Sequence, residues 1–261
     1  MFKKTILSAL VVLGFGTAAF AAEDEREIHD VAFSFEGVFG IFDEVELQRG
    51  LQVYTEVCAS CHGLNLVSYR TLGDHGGPAL PKDQVKAFAA QFEIYVPEDD
   101  SYRPSTPADY FPSVVNPDLP APDLSLMAKA RKGFEGPYGL VVNPLFRGVG
   151  GPEYIVALLT GYTGEEKEQA GTVLYENTAF PGGWISMPPP IFDEMVEFEP
   201  AADNDTEALS MDVASFLMWT AEPKLVQRKK AGLVAVLFLS FLAVLLYLTN
   251  KKIWAKAKRK D

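Results

Sequence analysis

The sequence predicts a mainly α-helical domain that is exported across a membrane and held there by one C-terminal transmembrane helix. The chain has 261 residues, of which 48% are apolar and 22% charged, proportions that are ordinary for a globular protein. Apolar residues recur with helical spacing in five separate segments, whereas no segment shows the strong apolar–polar alternation of a half-buried strand. The 21 glycines and 18 prolines indicate that long loops join the helices.

The first 21 residues are typical of a secretory signal. Lys3 and Lys4 are followed by an apolar stretch, and the small residues Ala19 and Ala21 suit cleavage after Ala21. A membrane anchor is the alternative, but the apolar stretch is too short to span a bilayer and acidic residues follow it at once. We therefore expect residues 1–21 to be removed on export.

Residues 231–249 form the second apolar segment and carry no charge. At ~1.5 Å rise per residue they span ~29 Å, close to the thickness of the hydrocarbon core. A buried core helix would not need the basic residues that flank both ends. The tail beyond is strongly basic: Lys251, Lys252, Lys256, Lys258, Arg259 and Lys260. The positive-inside rule predicts a domain over residues 22–223 outside the cytoplasm and an anchor with a cytoplasmic tail over 224–261.

The first part of the exported domain predicts two helices and a loop. Residues 43–57 carry an apolar stripe that leads to Cys58, with Asp43 as a possible N-cap. Gly50 in the middle costs about 1 kcal/mol against Ala, and we expect it to let another helix approach closely. Residues 83–95 form a second stripe, and residues 97–122, rich in Pro, Asp and Ser, read as a loop without regular structure.

The second part predicts three more helices. Residues 123–132 are expected to form a short helix, and residues 152–160 another, with a proline in its first turn. Residues 162–190 contain many glycines and prolines and are expected to be a loop. A last helix should run over 210–221 with Ser210 as its N-cap.

Charge is distributed unevenly along the chain. The whole chain has a formal net charge of −12, but residues 22–223 hold 34 acidic and 11 basic side chains, a net of −23. Such a domain is an unlikely partner for nucleic acid and is suited to steering a basic protein. The acidic clusters lie at 98–100, at 165–168 and at 203–207.

The motif Cys58-Ala59-Ser60-Cys61-His62 is the C-x-x-C-H pattern of covalent c-type haem attachment. Two thiols at this spacing can form thioethers with one haem, and the adjacent imidazole can then bind the iron. A zinc site would need further ligands, and the chain has only these two cysteines and two other histidines, His29 and His75. A thioredoxin-like redox pair would need a βαβ context, and a simple disulfide would leave the histidine unexplained.

The sixth iron ligand decides how such a haem is used, because a methionine closes the site and gives an electron carrier of high potential. Five methionines are candidates: Met127, Met187, Met195, Met211 and Met218. Three of them lie on helix stripes, where core packing is the simpler role. Met187 lies in a loop between two glycines and three prolines and is favoured by that position; Met195 and the histidine His75 stay open as alternatives.

Several blocks of the chain resemble the cytochrome c1 family, the haem subunits of cytochrome bc1 complexes, in its bacterial form. They are CASCHGLNLVSYRTL from Cys58, PDLSLMAKAR from Pro122, GGPEYIVALLTGY from Gly150, FPGGWISMPPPIFDEM from Phe180 and DVASFLMWTAEPKLVQRKKAG from Asp212. The resemblance implies a fold like class I cytochrome c with long loop insertions. It also implies that His62 and Met187 are the axial iron ligands, that Arg131 pairs with a haem propionate and that Tyr154 lies near the propionates. The segment between Tyr162 and Phe180 lacks the cysteine pair that some bacterial members carry there.

The resemblance also implies a role in a respiratory or photosynthetic chain. The protein would be the electron-transfer subunit of a quinol–cytochrome c reductase in the bacterial inner membrane, with one covalently bound haem c on the periplasmic side. It would assemble with cytochrome b and the Rieske iron–sulfur protein, take an electron from the latter and pass it to a soluble basic cytochrome c. The alternatives are an independent membrane-anchored cytochrome c that serves another oxidase or dehydrogenase, and a periplasmic binding module without redox activity.

Overall fold

The computed structural model describes residues 28–112, 121–134 and 147–255. The secretory signal expected at residues 1–21 and the basic residues from Lys256 onward lie outside this described part of the chain. Signal cleavage and the boundaries of the exported domain and the tail therefore stay predictions.

Six α-helices, two short 3₁₀ segments and five β-strands make up the described residues. The helices are α1 (Glu44–Glu56), α2 (Lys82–Ala89), α3 (Met127–Ala130), α4 (Gly151–Thr160), α5 (Thr206–Ala221) and α6 (Leu225–Trp254). The strands are β1 (Glu93–Val96), β2 (Ser101–Pro104), β3 (Tyr162–Gln169), β4 (Thr172–Asn177) and β5 (Trp184–Ile185), and the 3₁₀ segments are Cys58–Ser60 and Tyr69–Gly73.

Helix α1 forms as the sequence predicts and ends directly before the cysteine motif. The Asp43 carboxylate accepts hydrogen bonds from the backbone N–H groups of Val45 (2.9 Å) and Glu46 (3.0 Å), which caps the helix and agrees with the expected N-cap. The helix buries one face, including Leu47 and Tyr54, in the core. The position of the cysteine motif is thus fixed by the packing of α1.

Helices α1 and α5 cross at Gly50, where the sequence predicts the close approach of another helix. A Cβ atom added to Gly50 would lie 2.1 Å from the backbone oxygen of Asp212 and 2.7 Å from Cβ of Phe216, so only glycine allows this approach. Next to the crossing, Arg49 donates two hydrogen bonds to the Asp212 carboxylate, at 2.6 and 2.7 Å. This paired contact ties the two helices together beside their closest point.

Helix α5 is the centre of the domain, because α1, α3 and α4 all pack against it. It begins at Thr206 rather than at the expected Ser210. The Asp205 carboxylate caps it by accepting from the N–H of Ala208 at 2.8 Å. Ser210 is instead fully buried inside the helix, where its hydroxyl donates to the backbone oxygen of Thr206. The true cap lies one turn earlier, so the sequence-based start was wrong.

The segments expected to be helix or loop around residue 97 contain a β-hairpin. The helix predicted over 83–95 ends at Ala89, and β1 and β2 then pair antiparallel from Glu93 opposite Pro104 to Val96 opposite Ser101. Both strands are largely exposed, so no strong apolar alternation marks them in the sequence. The loop expected over 97–122 is therefore partly a strand.

The second loop, expected over 162–190, is a three-stranded antiparallel sheet in the order β3-β4-β5. Strands β3 and β4 are joined by the two-residue turn Ala170-Gly171, since Gln169 pairs with Thr172. Both turn residues have positive φ, 53° and 79°, as a tight hairpin of this kind requires. The expectation of an irregular segment was wrong here.

The short helices α3 and α4 both pack against α5. Helix α3 covers Met127–Ala130, shorter than the 123–132 predicted, and α4 covers Gly151–Thr160, close to the prediction. A Cβ atom on Gly151 would lie 1.8 Å from the backbone oxygen of Ala128, so the two helices meet backbone to backbone.

Helix α6 is the predicted anchor. Over Leu225–Trp254 it is the single helix in the described residues that is long and apolar enough to cross a membrane, and its most apolar window has a mean hydropathy of 2.6 with no residue buried in the domain. Three residues, Glu222 to Lys224, separate it from α5. We call these three residues the joint. The Glu222 carboxylate accepts a hydrogen bond from Arg228 of α6 and forms an ion pair with Lys129 of α3 at 3.0 Å, so the joint is tied both to α6 and to the domain.

Candidate haem site

The cysteine motif begins immediately after α1 as one turn of 3₁₀ helix, Cys58–Ser60. The backbone N–H groups of Cys61 and His62 both donate to the carbonyl of Cys58, at 3.1 and 2.9 Å. This turn folds the motif back on itself and presents the three functional side chains from a short stretch of chain. All three are partly exposed.

The two thiols are not joined to each other in a disulfide. Burial raises the pKa of the Cys58 thiol to about 12, with a smaller contribution from Cys61. Redox-active thiols of the C-x-x-C type have a lowered pKa, because the thiolate is the reacting species. All strand pairs in the described residues are antiparallel, so no βαβ unit surrounds the motif and the thioredoxin-like interpretation lacks its structural context.

His62 is held at its ring and at its backbone. Its ring Nδ1 lies 2.7 Å from the carbonyl oxygen of Pro122, and because a carbonyl can only accept, Nδ1 carries the proton. The backbone oxygen of His62 accepts from the hydroxyl of Tyr54 at 2.9 Å. With Nδ1 protonated, the lone pair of Nε2 is free to bind a metal, and such a bond to a carbonyl is the usual orienting contact of a ligating histidine.

The carbonyl that orients His62 is itself fixed by its neighbours. The N–H of Leu124 donates to the backbone oxygen of Gly63 at 2.9 Å, and the Asp123 carboxylate accepts from the N–H of Asn65 at 2.8 Å. Residues 122–124 are thereby docked along residues 62–65. The sequence reasoning did not find this role of Pro122, because a backbone oxygen leaves no signal in residue type.

Met187 follows strand β5 by two residues and is half-buried. The hydroxyl of Tyr162 donates to the backbone oxygen of Met187 at 3.1 Å. Gly182 and Gly183 form a tight turn with φ of 84° and 75°, in which the N–H of Gly183 donates to the backbone oxygen of Phe180 and the backbone oxygen of Gly183 accepts from the N–H of Asn177. The loop is therefore fixed at Met187 and before it, which suits a ligand held in one place.

The other ligand candidates lie in less suitable places. Met127 and Met211 pack against the core and Met218 is buried in it, whereas Met195 is 48% exposed. His75 is exposed and its Nδ1 lies 3.6 Å from a carboxylate oxygen of Glu44. Glu44 begins α1 and Cys58 lies beyond its other end, so the 13 residues of α1 put His75 ~20 Å from the cysteine motif.

The two residues expected at the propionates differ in their surroundings. Arg131 follows α3 and is exposed, and its Nη1 donates to the carbonyl of Ala130 at 3.4 Å. Tyr154 lies on α4 and is buried, with 3% of its surface exposed. Their roles toward a haem, and the joint ligation of one iron by His62 and Met187, stay predictions.

A separate cluster of carboxylates, not predicted from the sequence, lies on α4 and the chain before α1. Oxygen atoms of Asp30, Glu36 and Glu153 all lie within 4.8 Å of one another, and Arg147 forms an ion pair with Asp30 at 2.6 Å. Glu153 is 1% exposed and neither of its carboxylate oxygens has a hydrogen-bond partner. Burial raises the pKa of Glu153 to about 8, and that of Glu36 is raised by the same cause.

The donor set around the motif fits a haem better than any other group. Two unpaired thiols and an imidazole with its Nε2 free come from five consecutive residues, and no further cysteine exists to complete a zinc or iron–sulfur site. The residues that would hold the group are Cys58, Cys61 and His62; Met187 as a further iron ligand stays a prediction.

Comparison with known proteins agrees with this donor set. A model of the cytochrome C1 family matches residues 33–257. Cytochrome c1 of Cereibacter sphaeroides is 47% identical, over 100% of this chain and 98% of its own length, and cytochrome c1 of Rhodobacter capsulatus is 44% identical, over 98% and 99%. A protein named cytochrome b/c1 from Bradyrhizobium diazoefficiens is 42% identical over 85% of this chain, which corresponds to 35% of that longer protein. With matches over nearly its whole length, the chain belongs to the cytochrome c1 family.

Proposed function

We propose that this chain is the membrane-anchored, haem-carrying electron-transfer subunit of a cytochrome bc1 complex, a quinol–cytochrome c reductase. The observation that carries the proposal is the fixed ring of His62, whose Nδ1–H is bound to Pro122 so that Nε2 is left free for iron directly beside two unpaired thiols in the sequence. Haem c, when bound, supplies reversible one-electron chemistry at its iron. The chain itself breaks no substrate bond.

The residues of the site would serve this role by holding one group without movement. Cys58 and Cys61 would form the thioethers, and His62 and Met187 would bind the two faces of the iron. The backbone bonds from Tyr54 and Tyr162 fix the two ligands independently. Ligands that do not move between oxidation states keep the reorganisation small, which is what an electron carrier needs.

The proposal also covers the side of the membrane on which the domain lies and the proteins with which the chain assembles. The domain would lie on the periplasmic side, since the basic residues Lys251 and Lys252 follow the apolar stretch in the last turn of α6 and cations favour the cytoplasm. Pairing with cytochrome b is supported by the relative named cytochrome b/c1, of which this chain matches about a third. The Rieske protein as donor and a soluble basic cytochrome c as acceptor complete the proposed sequence.

The test is replacement of the native chain in cells by the double variant Cys58→Ser, Cys61→Ser. We expect it to lose quinol-dependent reduction of cytochrome c in isolated membranes, because no thioether can form. The variant Ser60→Ala, between the two cysteines, should keep that activity. Equal activity of the double variant would show that covalent attachment is not needed.

Gentle detergent extraction separates this proposal from the alternative of an independent anchored cytochrome. A b-type cytochrome should co-purify in a fixed ratio with the full-length chain. Recovery of the chain alone, with its haem spectrum intact, would favour the independent carrier.

A further inference from the structure

A cleft of about 510 Å³ lies where the exported domain meets the start of α6. One wall is the chain around Phe35 and Val38 with residues 147–149, and the other is the first three turns of α6. The cleft is unrelated to the haem motif, which lies at the far end of α1. Its position at the beginning of the transmembrane helix puts it at the level of the membrane surface.

The polarity of the cleft changes along α6. Arg228 and Lys229 line its upper part, and Leu233 and Val236 line its lower part within the uncharged stretch. From residue 229 to residue 236 the helix rises ~10 Å, so a cationic rim passes into an apolar wall over about two turns. This is the order in which a phospholipid presents its phosphate and its acyl chains.

Lys229 adds a positive charge to the rim. Its ammonium donates to the backbone oxygen of Phe35 and forms no ion pair in the described part of the chain, although the carboxylates of Glu222 and Glu36 lie near enough to act on its charge. An ammonium has three N–H donors, so two remain for a ligand. Arg228 pairs with Glu222 through Nε and leaves its terminal nitrogens toward solvent, since its side chain is 64% exposed.

Exposed apolar residues beside the cleft suit contact of this edge of the domain with the bilayer. Phe39 is 84% exposed and Ile41 58%, and both belong to the same loop as Val38, which lines the cleft. Large apolar side chains at such exposure are costly in water and favourable at a membrane interface.

We propose that this cleft binds one anionic phospholipid, with its phosphate on Lys229 and Arg228 and an acyl chain along Leu233 and Val236. A transmembrane helix of another subunit is the rival occupant. The cationic rim of the cleft disfavours an apolar helix, whereas it complements a phosphate.

The first test is native mass spectrometry of the full-length chain carrying its haem, released from nanodiscs of phosphatidylglycerol or of phosphatidylcholine. The chain should retain one phosphatidylglycerol and at least tenfold less phosphatidylcholine. The double variant Arg228→Gln, Lys229→Gln should lose this preference. The matched control Lys251→Gln, Lys252→Gln removes the same charge from the other end of α6 and should keep it.

Equal retention of the two lipids, or the same loss in both double variants, would overturn the proposal. The haem absorbance spectrum reports that each variant is folded. As a second measurement, Leu233→Trp fills the apolar part of the cleft while keeping both cations, and it should also abolish retention.

A photoreactive residue at position 236 in native membranes separates the two occupants. Cross-links to lipid support the proposal. Cross-links to a polypeptide as the main product would mean that a neighbouring subunit fills the cleft, and would overturn it.

Discussion

At the scale of single residues, each of the two proposed iron ligands is held by a hydrogen bond that involves a backbone oxygen. His62 is oriented by the carbonyl of Pro122, and the chain at Met187 is held by the hydroxyl of Tyr162. The residue types of the ligands were readable from the sequence. The groups that orient them were not, because one is the backbone oxygen of Pro122, which leaves no signal in residue type, and the other is the hydroxyl of Tyr162, which lies 25 residues before Met187 in the sequence.

Met187→Leu tests the sixth ligand. We expect the variant to keep its covalent haem and to lose the high midpoint potential, because leucine offers the iron no donor atom. A redox titration of the purified protein measures the change. The matched control is Met195→Leu, which alters an exposed methionine eight residues further along and should leave the potential unchanged. An unchanged midpoint in the first variant would remove Met187 from the site.

The raised pKa of Glu153 predicts that the stability of the folded chain depends on pH. Its pKa is about 8 in the folded chain against an ordinary value of 4.5, so between these limits the folded state holds a proton that the unfolded state releases. Stability should therefore fall as pH rises from 5 to 8. The neighbours Asp30 and Glu36 add to this trend and the charge of Arg147 opposes it.

The variant Glu153→Gln isolates this contribution. It should be less sensitive to pH than the wild type and, at pH 8, more stable by a few kcal/mol at most, since one pKa unit corresponds to about 1.4 kcal/mol. Thermal unfolding of the detergent-solubilised protein at pH 5 and pH 8 measures it. The exposed substitution Glu165→Gln is the control, and identical pH profiles for the wild type and Glu153→Gln would contradict the assignment.

At the scale of elements, the crossing of α1 and α5 is the contact that the sequence predicted best. Gly50→Leu should overpack it and destabilise the domain by about 1–3 kcal/mol, because the backbone oxygen of Asp212 cannot move without disturbing α5. Chemical denaturation followed by circular dichroism measures the loss. Val45→Leu, on the exposed face of the same helix, should change little. Wild-type stability of the Gly50 variant would mean that the helices separate at no cost.

The strands were missed for a physical reason. Strand β3 reads YTGEEKEQ, and its residues are exposed on both faces except for Tyr162 and Lys167, so no apolar alternation marks it. Its stability comes from pairing with β4 and from Lys167, whose ammonium lies 3.9 Å from the centre of the Trp184 ring on β5. The turn has Ala170 where tight hairpins usually have Asn or Asp, so the sequence also lacks the usual hairpin turn motif.

At the scale of the whole molecule, the acidic surface can now be placed relative to the proposed haem ligands. Glu166 on β3 pairs with Tyr175 on β4, and Tyr175 pairs with Ile185 on β5. These three residues form one row across the sheet, which runs from the acidic cluster at 165–168 to a residue two positions before Met187. Two strand spacings amount to ~10 Å. The cluster at 98–100 lies on a different hairpin and has no such connection.

This placement sharpens the expected salt dependence. Electron transfer to a basic cytochrome c should slow steeply between 0.01 and 0.1 M salt, as the Debye length falls from ~30 to ~10 Å. Replacing Glu165, Glu166 and Glu168 by Gln should reduce the bimolecular rate and its salt dependence. Amide replacement of Glu98, Asp99 and Asp100 removes the same charge and should have little effect. Stopped-flow rates that are flat with salt would make the acidic surface a matter of solubility alone.

The short joint between α5 and α6 limits how far this chain can move in an electron relay. Three residues connect the two helices, Glu222 is bound to both Arg228 and Lys129, and Leu225 is buried. So short a joint, tied by these contacts, restricts how far the domain can move relative to α6. In the proposed complex we therefore expect most of the travel that brings donor and acceptor within electron-tunnelling distance to be made by the proteins on either side of this chain.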